Sequence, residues 1–166
     1  MSKAAARALQ PPRIAPAGAS TLDDVRALFR DYETAFAGGA AQCFADFEDE
    51  LAALPGDCAL PLGGILLARD GHGKPVGVVA FRQLEPGVAE MKRLYVRPEQ
   101  RGRGLGRRLV EAVLREAAAR GYGAVRLSTV PAAMRAADAL YQTTGFRPIA
   151  SYPGAACGAQ CYETAL

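Results

Sequence analysis

A short glycine-rich segment lies between a predicted strand and a predicted amphipathic helix, and it constrains the fold more than any other feature. The segment reads RGRGLG at positions 101–106, follows LYVRP at 94–98 and precedes the apolar-periodic run 105–119. Glycine lets the backbone adopt positive φ and approach a ligand closely. The unpaired N–H groups and the dipole of a first helical turn attract negative charge. This layout predicts a binding site for a polyanion such as a nucleotide-like pyrophosphate.

Positive charge is concentrated around this glycine loop, residues 101–106. The window 92–108 contains seven basic side chains and one acidic one, although the net charge of the whole chain is only +3. Such a concentration attracts either a nucleic acid or an anionic small molecule. We favour a phosphate-bearing small molecule over a nucleic acid, because the charge lies on the loop itself and Tyr95 is the only aromatic residue in the window.

The composition is that of one globular domain. Half of the 166 residues are apolar, and no run of about 20 apolar residues is present that could span a membrane. We assign residues 11–166 to a single domain and residues 1–10 to a frayed tail without the apolar core of a signal peptide. The four cysteines lack metal-binding spacing and the one histidine, His72, lies in a predicted turn. We therefore expect no metal site. We also expect a cytoplasmic protein whose cysteines are reduced thiols.

Hydrophobic periodicity predicts helices and strands along the whole domain. The first helix is expected to begin at a cap formed by Ser20 or Thr21 and to end at Gly38-Gly39. The other predicted helices are 41–54, 105–120 and 132–143, and the predicted strands are 13–17, 64–69, 75–84, 88–96, 124–130, 146–151 and 160–164.

The strand 88–96 does not alternate regularly. Ala89 and Met91 fall on one phase, whereas Leu94 and Val96 fall on the other. A slip of one residue inside a strand is typical of a β-bulge, which bends the strand and often lies beside an active site. The pattern predicts such a bulge in the Lys-Arg pair between the two phases.

Two common phosphate-binding motifs do not fit the glycine loop. A P-loop requires Gly-Lys-Ser or Gly-Lys-Thr, which the chain lacks, and the dinucleotide fingerprint requires glycine where Arg107 stands. The pattern [Q/R]-x-x-G-x-[G/A] does fit from Arg101. Together with the strand before it, the helix after it, the triplet 139–141 (Ala-Leu-Tyr) and Gly145-Phe146, it resembles the GNAT superfamily of N-acetyltransferases, most strongly over residues 75–146.

The resemblance implies an α/β fold of the α+β type. A single GNAT-like domain would contain a central mixed, mostly antiparallel sheet of six to seven strands and about four helices, with the sheet splayed at strand 88–96. It also implies that acetyl-CoA is the co-substrate. The pantetheine arm would pair with the strand backbone and the pyrophosphate would bind loop amides. The implied residues are Leu94, Tyr95, Val96, Arg101, Gly102, Arg103, Gly104, Leu105, Gly106 and Arg107.

Acetyl transfer to an amine needs a base, a group that polarises the thioester carbonyl and an acid for the leaving thiolate. Glu90 is the candidate base, because a carboxylate inside an apolar strand is partly withdrawn from water. The alternative is a solvated residue paired with Lys92 or Arg82. The resemblance implies that Tyr141 is the acid, against the alternative of a core tyrosine, and the N–H of Leu94 or a neighbour is our candidate for the polarising group.

The acceptor is the part that the sequence constrains least. Many relatives have an asparagine where this chain has Met134, so one contact to the pantetheine arm is expected to be absent. Candidate acceptor residues are Tyr32, Arg82 and Tyr152, and Arg82 could pair with the carboxylate of an amino acid. We expect direct attack by the primary amine of a small molecule, such as an amino acid or a polyamine-like compound, in a monomer or homodimer. The alternative is a non-catalytic CoA-binding sensor of the same fold.

Overall fold

Seven strands form one sheet in the computed structural model, which describes residues 10–40, 46–130, 135–155 and 158–166. The sheet order is β1-β2-β3-β4-β5-β7-β6. Only β4 and β5 pair in parallel, and every other neighbouring pair is antiparallel. The strands are β1 (Arg13–Pro16), β2 (Gly64–Arg69), β3 (Pro75–Glu85), β4 (Val88–Val96), β5 (Ala124–Thr129), β6 (Arg147–Ile149) and β7 (Gln160–Ala165).

Four α-helices accompany the sheet in the described part of the chain, so the predicted mixed, mostly antiparallel α+β fold is confirmed. They are α1 (Leu22–Ala40), α2 (Phe47–Ala53), α3 (Leu105–Ala119) and α4 (Arg135–Thr143). Single turns of 3-10 helix precede α1, follow α2 and follow β4.

Two predicted helix boundaries were wrong. Helix α1 continues through Gly38 and Gly39, because glycine weakens a helix but ends it only where it adopts the left-handed conformation. Helix α2 begins at Phe47, after the N-cap residue Asp46, and not near residue 41. Residues 41–45 lie outside the described part of the chain, as do 1–9 of the predicted tail and 131–134 at the predicted start of the fourth helix.

The sheet has a hydrophobic core on each face. On one face, Leu109 and Val113 of α3 pack against side chains of the central strands. On the other face, Val25 and Phe29 of α1 form a second core together with residues of α2. Strand β4 contributes to both cores, because its apolar side chains alternate between the two faces.

The predicted bulge in β4 is confirmed. Ala80 of β3 stands opposite Lys92, whereas Val78 stands opposite Tyr95. One residue of β3 therefore faces two residues of β4, Arg93 and Leu94, and Arg93 has a φ of 57°. This extra residue explains the change of phase in the sequence.

The sheet opens between β4 and β5, as predicted. The two strands pair only where Val88, Ala89 and Glu90 face residues 124–126. Beyond Glu90 the strands diverge, and the rest of β4 has no partner residue on β5. The opening leaves one edge of β4 available for hydrogen bonding beside the bulge.

Candidate active site

The backbone of β4 presents alternate residues to the opening. The N–H of Arg97 donates to the carbonyl of Val76 on β3 at 2.9 Å. In an antiparallel ladder this makes Tyr95 and Val78 the next hydrogen-bonded pair, so the N–H and C=O of Val96 face away from β3. Because backbone groups alternate in direction along a strand, the N–H and C=O of Leu94 also face away from β3. The backbone of Tyr95 was expected to face the opening too, but its N–H and C=O pair with β3 instead.

A cavity of about 460 Å³ occupies this opening. Most of the sequence-predicted residues meet there, and two residues of β5, Leu127 and Ser128, form its opposite wall. The predicted residues that line it are Tyr32, Leu94, Tyr95, Val96, Arg101, Gly102, Gly104, Leu105, Gly106 and Tyr141.

The glycine loop forms one end of this first cavity. Gly102 and Gly104 have φ values of 72° and 77°, and a Cβ added to either would meet no atom within 4 Å. Gly104 is the N-cap of α3, no side chain caps the helix, and its first turn contains no acidic residue. The first N–H groups of this 15-residue helix therefore face an open approach that suits an anion. Gly106 has another role, since a Cβ there would lie 3.3 Å from Leu140.

The arginines of the loop make different contacts. Arg101 donates from Nε to the carbonyl of Val96 at 2.8 Å, and its guanidinium lies 5.6 Å from the ring centre of Tyr95. The side chains of Arg103 and Arg107 do not line the first cavity. Arg107 instead donates to the carbonyl and hydroxyl oxygens of Thr143, at 3.1 and 3.0 Å.

Tyr141 projects from α4 into the first cavity while remaining 6% exposed. Its ring packs against Phe146, at a centroid distance of 5.9 Å, and against Tyr162, at 6.1 Å. Burial raises the pKa of the Tyr141 hydroxyl far above its usual value, so this group holds its proton at neutral pH.

Glu90 lies in a buried polar cluster next to the first cavity. It is only 5% exposed, so the alternative was wrong in making it solvated, whereas the pairing with Arg82 that the same alternative named does occur. Arg82 donates from Nε to Glu90 Oε2 at 2.8 Å, and Tyr152 donates to Oε1 at 3.0 Å. Arg82 also binds Asp57 at 3.1 Å. Two predicted acceptor residues, Arg82 and Tyr152, therefore contact the predicted base. Burial, followed by Glu90, raises the pKa of the Tyr152 hydroxyl well above its usual value.

A second cavity of about 510 Å³ lies on the other side of the bulge. It is bounded by ten of the residues between 46 and 58, a segment that includes α2, together with Arg82 and Gly154, and Glu48 is not among them. Lys92 and Arg93 line both cavities, so the two cavities meet at the bulge. This arrangement allows two molecules to approach one point from opposite sides of β4.

The comparison with known proteins decides the family. Residues 22–146 match the sequence model of the Acetyltransferase (GNAT) family. The chain belongs to the GNAT acetyltransferase family. It is 39% identical over 132 residues to an uncharacterized N-acetyltransferase of Schizosaccharomyces pombe, with 79% of each chain covered.

Solved GNAT structures have the same fold. A GNAT-family acetyltransferase from Staphylococcus aureus superposes with a TM-score of 0.77 at 17% identity, over 94% of this chain and 99% of the other. The PaiA N-acetyltransferase of Thermoplasma acidophilum, crystallised in complex with coenzyme A, has a TM-score of 0.75 at 16% identity, over 95% and 100% of the two chains. The open sheet of this GNAT acetyltransferase is thus the family fold.

Glu50 is a site residue of this GNAT protein that sequence reasoning missed. It lies on α2 in the wall of the second cavity. Its carboxylate accepts hydrogen bonds from Arg93 and forms an ion pair with Lys92, in which Nζ lies 3.2 Å from Oε1. Burial raises the pKa of Glu50, but Arg93 and Lys92 outweigh burial, so the pKa lies below its usual value. Nothing in the acidic run Glu48-Asp49-Glu50 distinguishes this carboxylate from its exposed neighbours.

Other sequence predictions concern features outside this site. Met134 lies outside the described residues. Among those described, no three His, Cys, Asp or Glu side chains are grouped to hold a metal ion, and Cys58 and Cys161 are buried free thiols. None of the described helices has the length and apolar character that crossing a membrane requires.

Proposed function

We propose that this GNAT acetyltransferase moves the acetyl group of acetyl-CoA to the primary amine of a small molecule, by direct attack in a ternary complex. One observation carries the proposal. The opening in the sheet leads from the uncapped N-terminus of α3 to the bulge, where the second cavity begins. A long donor with an anionic end and a reactive end fits that path, and an amine can reach the reactive end from the far side.

The chain would hold the donor mainly by its backbone. Amides of residues 101–107 would bind the pyrophosphate at the start of α3, where the dipole favours negative charge. The outward-facing groups of Leu94 and Val96 would pair with the amides of the pantetheine arm as an added strand. Because Arg101 donates to the Val96 carbonyl, this side chain would have to move for the arm to pair there.

The bound donor supplies an activated thioester, and the residues around it would stabilise charge and move protons. The N–H of Leu94 would donate to the carbonyl oxygen as negative charge develops there. When the amine nitrogen bonds to the carbonyl carbon and the C–S bond breaks, Tyr141 would protonate the departing sulfur. A tyrosine hydroxyl is already protonated at neutral pH, and burial raises the pKa of this one further.

The proton lost by the amine would travel to Glu90 through Tyr152. Both oxygens of Glu90 already accept hydrogen bonds, from Arg82 and Tyr152. Arginine keeps its proton at all physiological pH values, so only the tyrosine can relay one. The Tyr152 hydroxyl also contacts Ser128, which lines the first cavity. Ser128, Tyr152 and Glu90 would thus form a path from the cavity into the buried cluster.

The charges of the second cavity favour a polyamine-like acceptor over an amino acid. Its three cations, Arg82, Lys92 and Arg93, are already paired with carboxylates of the chain. Asp46 and Asp49 add exposed negative charge at the same cavity. A substrate carboxylate would have to break one of these ion pairs, whereas a second ammonium group would be attracted. Tyr32 would contribute an aromatic wall at the junction.

An amine-panel assay tests this function. The purified protein is incubated with acetyl-CoA and diamines, polyamines or amino acids, and the release of free thiol is followed together with the mass of the product. We expect acetylated amine, with faster turnover for polyamine-like compounds than for amino acids. Binding of CoA without transfer to any amine would instead support the sensor alternative.

A further inference from the structure

Arg93 has a backbone conformation that its side chain disfavours. Among the residues that the structure describes, it is the only non-glycine residue with positive φ, at 57°. Long L side chains rarely adopt this region, and such a conformation persists only where its surroundings enforce it. The strain lies at the bulge where the two cavities meet, so the contacts that enforce it bear on the reaction.

Helices α1 and α2 supply these contacts. The Arg93 guanidinium lies 5.6 Å from the ring centre of Tyr32 on α1 and 5.2 Å from that of Phe47 on α2. Its Nε lies 3.3 and 3.2 Å from Oε1 and Oε2 of Glu50, and Oε2 also accepts a hydrogen bond from Nη2 of Arg93. The side chain is only 10% exposed. Two aromatic rings and one carboxylate therefore fix it.

We propose that Arg93 and Glu50 are positioning residues that aim the Leu94 N–H at the thioester carbonyl. The backbone torsions of Arg93 set the orientation of the Arg93–Leu94 peptide, which carries that N–H. The ion pair transmits the position of α2 to this peptide. The inference rests on the proposed function, because only a bound thioester gives the N–H a carbonyl oxygen to meet.

Lys92 also contacts Glu50, but it cannot orient the Leu94 N–H in the same way. It stands in the regular ladder opposite Ala80, before the bulge, so β3 already fixes its backbone. The competing explanation is that the Arg93–Glu50 pair only stabilises the fold. Removing one partner of a largely buried ion pair destabilises a protein, because the other charge is left without a partner. The two explanations differ in whether loss of the pair weakens the binding of the acetyl thioester relative to CoA.

The test compares Glu50→Gln with the matched control Glu48→Gln. Glu48 is on the same helix and forms an exposed ion pair with Arg30 at 2.8 Å, away from the bulge. For each variant, calorimetry gives the affinities for CoA and for acetyl-CoA, which share every contact except those of the acetyl group. Steady-state kinetics give kcat and the KM of the amine, and thermal unfolding reports stability.

We expect Glu50→Gln to bind CoA as the wild type does. The preference of the wild type for acetyl-CoA over CoA should fall by about fivefold, the value of one hydrogen bond. The kcat should fall about 10- to 100-fold, since small misplacement of a catalytic group is costly. Glu50→Asp, which keeps the charge, should recover part of both losses, and Glu48→Gln should change neither.

Either of two results would overturn the inference. One is an unchanged preference for acetyl-CoA in Glu50→Gln, and the other is a parallel loss of CoA affinity and thermal stability that accounts for the whole fall in rate. Failure of the proposed function is seen separately, as wild-type protein that transfers acetyl to no amine. The binding preference would still decide the role of Arg93 and Glu50 in that case, because it needs no turnover.

Discussion

The hydroxyl of Tyr152 donates a 3.0 Å hydrogen bond to Oε1 of Glu90, a residue 62 positions earlier in the chain. This contact joins the loop before β7 to the last residue of β4 that pairs with β5. It gives the buried carboxylate a hydroxyl neighbour that can pass a proton. The first prediction follows from this pair.

Glu90→Gln should lower kcat by about 10²–10⁴ if the carboxylate receives the amine proton. Tyr152→Phe should lower it by a similar factor, and the double variant should be little worse than either single one, because both act on one proton path. Steady-state kinetics at saturating acetyl-CoA measure these effects. A loss below tenfold for Glu90→Gln would remove the carboxylate from the chemistry and leave Glu90 as a structural ion-pair partner of Arg82.

Gly104→Val should abolish CoA binding. The residue has φ of 77° and caps α3, so a β-branched side chain both strains the loop and enters the open approach to the first N–H groups. Gly73→Val is the matched control, since Gly73 has φ of 84° with open space around it and lies in the β2–β3 turn. Calorimetric titration with CoA should show binding by the control only. Equal affinities would refute the loop as the pyrophosphate site.

Tyr141→Phe should lower kcat about 100-fold while CoA affinity stays unchanged, because the hydroxyl is needed only when the thiolate leaves. Tyr122→Phe provides a matched control, as Tyr122 is another buried tyrosine and donates to the carbonyl of Leu62 at 2.7 Å, away from the first cavity. The control should lose stability and keep its turnover. Normal turnover in Tyr141→Phe would return this residue to a packing role.

The Glu50 carboxyl should make stability depend on pH in the acid range. Arg93 and Lys92 hold its pKa below the usual 4.5 in spite of burial. The stabilisation is therefore complete above the unfolded-state value and is lost as the pH falls through the folded-state value. Thermal unfolding between neutral and strongly acidic pH should show a smaller acid loss for Glu50→Gln than for the wild type. Identical pH profiles would contradict this assignment.

The sequence predicted features that depend on local pattern. The phase change between Met91 and Leu94 located the bulge, because side-chain alternation records the register of a strand directly. The glycine loop was equally clear, since positive φ at Gly102 and Gly104 restricts the residue type. Both signals come from residues close together in the chain.

Contacts between distant segments could not be predicted in the same way. The sequence suggested Arg82 either as a partner of Glu90 or as a partner for a substrate carboxylate, and only the folded structure shows that it pairs with both Glu90 and Asp57. No local pattern marks Glu50, since only the tertiary structure brings α2 against Arg93. Two consecutive glycines predict an end to α1 at Gly38-Gly39, but the helix continues through both. These features depend on packing, which a single sequence records only indirectly.

A single-turnover experiment with acetyl-labelled acetyl-CoA and a polyamine tests the central claim most directly. The reaction is stopped at short times, and mass spectrometry locates the label on the amine, on the protein or in free acetate. Direct attack in a ternary complex predicts that the label passes from acetyl-CoA to the amine, with none on the protein at any time, and that Gly104→Val transfers none. Label on the protein before the amine, or release as acetate alone, would contradict the account.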